Sequence, residues 1–131
     1  MEIVAALFIE NINVRQLSDG GPTRIDLSGI QFSLPAPQPV PVTITPHLVV
    51  LVRAPADTDG NGTLETVFVL ADGSEVGRNA QSFFVEPGKF GYRLVKGELD
   101  FSEPGTIEAK CTILESGSSV TVPLTALPNP A

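Results

Sequence analysis

The run Asp57-Thr58-Asp59-Gly60-Asn61-Gly62-Thr63-Leu64-Glu65 is the stretch whose residue types and spacing come nearest to a defined chemistry. Oxygen donors at alternate positions, a glycine at the sixth and an acid at the ninth are what a calcium loop uses. Asp57, Asp59 and Asn61 would supply side-chain oxygens, Thr63 a backbone carbonyl and Glu65 a direct or water-bridged contact. The twelfth position, where a bidentate Glu belongs, is Phe68. Any calcium site here is therefore expected to be weak, unless a carboxylate such as Asp19 or Glu86 is recruited from elsewhere. The plainer reading, which the composition favours, is a hairpin loop in which Asp, Asn and Gly serve as turn residues.

Other reactive side chains are sparse. The chain has one His and one Cys, so an internal disulfide and zinc sites built from several Cys and His are excluded. His47 follows Pro46 and opens an apolar run with no Ser or Cys motif beside it, the setting of an inert strand-edge histidine. Cys111 alternates with apolar residues and is expected to be a small buried hydrophobe. Asp57/Asp59 and Glu98/Asp100 are the closest carboxylate pairs, but general acid–base work also needs a pocket that shifts a pKa, and no pattern signals one. A non-enzymatic protein with no cofactor is expected, with calcium as the alternative.

The elements that would position these residues read as strands. Twelve Gly and twelve Pro are scattered through 131 residues, leaving few windows for a three-turn helix. Between them lie short runs rich in Val, Ile, Thr and Phe. In residues 106–113, Ile107, Ala109, Cys111 and Ile113 face one way, while Glu108, Lys110 and Thr112 face the other. Residues 118–125 repeat the alternation with Val120, Val122 and Leu124. Residues 47–53 and 64–71 are near-continuous apolar runs, as expected of central strands covered on both sides. In the opening segment, residues 2–16, Val4, Phe8 and Ile12 also fit helical spacing; the β-branched content and the all-strand remainder favour a strand.

Breaks in the pattern have their own logic. The sets Ile25/Leu27 and Ile30/Phe32/Leu34 are out of step, which predicts a bulge or kink at Ser28-Gly29. Asp19-Gly20-Gly21 and Asp72-Gly73 supply the glycines that tight hairpins need. Glu86-Pro87-Gly88-Lys89 and Glu103-Pro104-Gly105-Thr106 both carry the type II turn pattern. Residues 35–46, with prolines at 35, 37, 39, 41 and 46, read as an extended crossover between two sheets. The prolines are not spaced three apart, as a ligand for an aromatic groove would need.

These features predict an all-β, antiparallel, immunoglobulin-like β-sandwich of roughly seven to nine strands. It would fill residues 1–127, with a flexible tail over 128–131. There is no Trp and no second Cys, so this is not a true immunoglobulin domain. The N-terminus has no basic region before its short apolar run, so a signal peptide is not expected and a cytoplasmic location is.

Four segments, in order, resemble a bacterial family of small single-domain proteins of unassigned function. They are Ala5-Ala6-Leu7-Phe8; Asp19-Gly20-Gly21 leading to Ile25-Asp26-Leu27-Ser28-Gly29; Leu70-Ala71-Asp72-Gly73-Ser74-Glu75-Val76; and Phe101-Ser102-Glu103-Pro104-Gly105-Thr106-Ile107. The resemblance implies a β-sandwich and supplies no active site. The 57–63 loop is not part of it.

Composition narrows the partners. Fifteen acidic residues against eight basic give a net charge of −7, which repels nucleic acid and anionic membranes. Only 18% of residues are charged, below the usual ~25%. So thin a charged coat is expected of a protein-interaction or assembly module, engaging a partner or itself as a homo-oligomer through a strand edge or apolar sheet face. A calcium-dependent binding domain and a structural subunit of a larger particle are the alternatives.

Overall fold

The computed structural model describes residues 1–16 and 23–129. Among them are eleven strands and no helix: β1 Glu2–Gln16, β2 Thr23–Ile30, β3 Ser33–Pro35, β4 Val42–Ile44, β5 His47–Arg53, β6 Asn61–Leu70, β7 Glu75–Phe84, β8 Phe90–Lys96, β9 Leu99–Phe101, β10 Gly105–Ile113 and β11 Ser119–Leu127. The fold is all-β, as the spacing of glycines, prolines and β-branched residues predicts. The strand number exceeds the expected seven to nine because β3, β4 and β9 are only three residues each.

Two sheets face each other. One has the order β2-β1-β5-β8, the other β3-β11-β10-β6-β7, and β4 pairs with β9 apart from both. Every pairing is antiparallel except that of β3 with β11, which is parallel. The exception follows from the proline-rich crossover. The chain leaves β2 in the first sheet, touches the second as β3, pairs briefly as β4, and returns to the first as β5.

The core lies between the sheets and is filled by alternation. In β10, Ile107, Ala109, Cys111 and Ile113 are fully buried. From β5, Leu48, Val50 and Val52 meet them, together with Phe8, Leu64, Phe68, Val95, Leu99 and Leu124. β5 is buried on both faces, since Val49, on the opposite side from Leu48 and Val50, is also fully buried. β6 instead alternates buried with half-buried positions, although it too is a central strand. It begins at Asn61, three residues before the apolar run.

β1 is long enough to serve two neighbours. Its first half, from Glu2 to Ile9, pairs with β5, and its second half, from Ile9 onward, pairs with β2. In the second half, Ile12 and Val14 stand opposite Leu27 and Ile25. Ile25 reaches Leu51, Phe90 and Tyr92, with which it lines a small cavity of about 130 Å³. The β1–β2 ribbon thus lies against the face of the first sheet that points away from the main core.

Several turn expectations can be compared directly. Gly73 (φ +87°) and Gly88 (φ +80°) adopt the left-handed conformation that their turns require, and Lys89 N–H donates to Glu86 O at 2.9 Å. The second Glu-Pro-Gly motif differs. Gly105 has no positive φ and already stands in β10, opposite Ala126, so a type II turn does not form there. At Ser28-Gly29 the pairing keeps one register from Ile9↔Ile30 to Asn11↔Ser28, so no residue is inserted. The break is a kink at Gly29, φ +67°. Ile30 and Phe32 end up exposed because the chain turns away toward the second sheet. Asp19-Gly20-Gly21 lies outside the described residues. In the expected tail, Asn129 Nδ2 donates to Ala36 O at 2.9 Å, and residues 130–131 lie outside the described residues.

Candidate interaction surface

The 57–65 segment is a turn only as far as Gly60. Asp57 and Asp59 lie in the turn between β5 and β6, but Asn61, Thr63 and Glu65 belong to β6 itself. In a strand, alternate side chains stand about 6.6 Å apart and parallel, so they do not converge on one point. Their groups are also engaged. Asp59 Oδ1 accepts the Asn61 N–H at 2.9 Å, a local turn bond. Thr63 donates its N–H and its hydroxyl to the two Glu115 carboxylate oxygens at 2.7 and 2.8 Å. The Thr63 carbonyl, which a calcium loop would use, accepts the Leu114 N–H at 3.0 Å. Glu65 pairs with Arg78 at 3.1 Å, and Glu86 with Lys89 at 3.9 Å. Among the described residues no group of three or more His, Cys, Asp or Glu is placed to hold a metal. The acids here secure the β6 entrance: hydrogen bonds from the Thr63 backbone and hydroxyl hold Glu115 below the usual carboxylate range, against the nearby Asp59 charge.

Cys111 is fully buried beside Thr66 in the β10–β6 ladder. Burial pushes its thiol up to about 11, which the Thr66 hydroxyl only partly offsets, so it is a core residue and a poor nucleophile. The Thr66 hydroxyl is itself fully buried without a well-formed hydrogen bond.

One end of the sandwich carries an open depression of about 680 Å³, walled by Pro37, Pro41, Thr43, Val76, Asp100 and Phe101. Asp100 accepts the Thr43 hydroxyl at 2.5 Å. Asp72, in an adjoining hollow, is held below the usual range by the Ser74 hydroxyl and N–H. A carboxylate displaced in that direction stays ionised at neutral pH, the opposite of what a general acid needs.

The two long sides of the sandwich differ. On one side β1 runs close beside β11, and the Ile3 N–H donates to Ser118 Oγ at 3.0 Å across the join. On the other side β8 and β7, the last strands of their sheets, form no ladder with each other. They are joined there by side chains. Arg93 donates Nε and an Nη to Gln81 Oε1 at 3.0 and 2.8 Å, and Gln81 Nε2 makes a long 3.4 Å contact to Leu94 O. Lys89 O accepts the Ala54 N–H at 2.9 Å, so odd-numbered residues of this strand turn their backbone groups toward β5. The even-numbered Tyr92 and Leu94 therefore turn theirs to the open edge. Their side chains, with that of Phe90, share the face directed away from the core, where Ile25 of β2 already lines a cavity with Phe90 and the half-buried Tyr92; Phe90 is 57% and Leu94 41% exposed.

The charge of this strip is opposite to that of the chain. β5 and β8, HLVVLVR and FGYRLVK, hold Arg53, Arg93 and Lys96 but none of the fifteen acids. Arg53 pairs with Glu2 at 2.7 Å from β1. Arg93 and Lys96 have no carboxylate partner among the described residues. Residues 90–96 contain no functional motif. Their lack of acids is shared with β5 and β11, so no local signal sets them apart.

No family model matches this chain. No curated protein matches it either. Among solved structures it is similar to a family 123 glycoside hydrolase from Clostridium perfringens, at 12% identity and a TM-score of 0.40, over 76% of this chain and 23% of that one. The chain thus spans about a quarter of that enzyme's length, and a likeness so slight carries no argument about activity. No helix among the described residues is long and apolar enough to cross a membrane.

Proposed function

We propose that this protein is a non-enzymatic interaction module that engages a protein partner along β8, the open edge of the first sheet. The observation that carries this reading is the edge itself. Tyr92 and Leu94 direct backbone N–H and C=O groups outward, beside a stripe of Phe90, Tyr92 and Leu94. An edge strand offers a row of unpaired backbone groups, and proteins usually blunt it when it has no use. Here the devices that blunt it are the inward-turned Arg93, Lys96 at the strand end and one long glutamine contact at 3.4 Å, and none of them covers the outward backbone groups of Tyr92. Addition of a partner strand supplies affinity through backbone hydrogen bonds, and alternate side chains supply selectivity.

The test is selection from a random library of extended ten-residue peptides against the whole chain. Clones should protect the Tyr92 and Leu94 amides from hydrogen exchange and should lose binding to Leu94→Lys, which alters an exposed side chain and leaves the core intact. A selection that yields no such clone, or only clones indifferent to Leu94→Lys, contradicts the reading.

A further inference from the structure

We infer that the partner segment at β8 is an acidic extended strand; this rests on the edge-binding reading above and goes further by assigning the chemistry of the occupant. Charge complementarity points to this occupant. Four of the eight basic residues, Arg24, Arg93, Lys96 and Lys110, stand in no ion pair among the described residues, and two of them, Arg93 and Lys96, fall on β8, an edge strand without acids. The five ion pairs among the described residues use Arg15, Arg53, Arg78 and Lys89, so Lys96 takes part in none of them and Arg93 joins β8 to β7 only through the neutral Gln81.

Their positions suit an added strand. Arg93 and Lys96 lie on opposite faces of β8, Arg93 with Val95 and Lys96 with Phe90, Tyr92 and Leu94, so a neighbouring strand reaches each from a different one of its own faces. Arg93 is now held through Nε and one Nη by a neutral acceptor, Gln81 Oε1. A carboxylate is a stronger partner for a guanidinium than an amide oxygen, because the hydrogen bond is charge-assisted and can be bidentate. The exchange of Gln81 for a carboxylate releases the Gln81 contact to Leu94 O, which frees that carbonyl for the incoming backbone. Apolar residues on the opposite face of the same segment then lie beside Phe90, Tyr92 and Leu94.

A second copy of this chain fits less well. Symmetric pairing of β8 with β8 sets Arg93 and Lys96 of each strand against a strand that has no acid, and two bodies of net charge −7 repel.

The experiment reads the composition of the peptides selected on the whole chain. Enriched clones should carry Glu or Asp, should bind at least tenfold more weakly to the double variant Arg93→Glu/Lys96→Glu, and should weaken as salt rises. Both positions are outside the fully buried set, and unchanged thermal stability checks that the variant folds. Neutral or basic clones that protect the β8 amides and bind the double variant equally well overturn the acidic assignment while leaving edge binding in place. A selection without clones that protect β8 overturns both. A concentration-dependent mass above 13.8 kDa by light scattering, abolished by Leu94→Lys, would assign the edge to a second copy and also overturn the acidic-segment assignment.

Discussion

The two sides of this sandwich meet the same physical problem and solve it differently. Where β1 passes β11, a backbone N–H finds the Ser118 hydroxyl, and the flanking interior positions are apolar: Ile3, Leu124 and Ala126 are all buried. Where β8 passes β7, the inward row of β7 runs Gly77, Asn79, Gln81 and the buried Phe83, and β8 sets Arg93, opposite Val50, next to the buried Val95. Between those apolar ends Asn79, Gln81 and Arg93 bond to one another without a ladder to seal the join. The difference shows how one fold can place its stability on one edge and leave the other available.

The largest effect should come from the sealed side. Leu124→Ala removes a fully buried side chain and should cost about 2–5 kcal/mol in denaturant unfolding. Gln81→Ala on the open side should cost under about 1 kcal/mol, since Arg93 can hydrate there. Near-equal losses would erase the contrast.

A second prediction concerns the core that both sides share. The Cys111 thiol, raised by burial from 9.0 to about 11, ionises more easily in the unfolded chain. Stability should therefore be intact below pH ~9 and fall by up to about 2 kcal/mol as pH rises toward 11, and Cys111→Ala should flatten that slope. Thiol labelling at pH ~8 should await unfolding. Ready labelling of the folded protein would mean that the interior is open to solvent.

Ser118→Ala tests the join more finely. Loss of the acceptor for the Ile3 N–H should cost about 1 kcal/mol. The smallest expected effect is that of calcium, because Thr63 and Glu65 are already engaged. Thermal unfolding in EDTA and in calcium should coincide. A calcium-dependent rise in Tm that Asp59→Ala removes would revive the loop as a site.

Much of the fold was legible because alternation is a local signal. β10 could be read residue by residue, since Ile107, Ala109, Cys111 and Ile113 recur with the period of a half-buried strand. The strand β1 was legible from its β-branched content despite helix-compatible spacing. The three-residue strands were not, because β3, β4 and β9 exist through their partners and have no pattern of their own. The 57–65 motif was ambiguous for a related reason. Oxygen-bearing residues at alternate positions suit both a calcium loop and a strand, and the ladder that begins with Asn61 opposite Phe84 sets Asn61, Thr63 and Glu65 in a strand. The β8 surface was illegible as a site because an edge is a property of sheet order, which no local spacing records.

The most direct test of the account is amide hydrogen exchange on the free protein, resolved by residue. Tyr92 and Leu94, whose N–H groups face the open edge, should exchange far faster than Ile3 at the sealed join and than Arg93 and Val95 in the β5–β8 ladder. Protection of Tyr92 and Leu94 equal to that of these neighbours would mean that the edge is already covered, and would contradict the account at its centre.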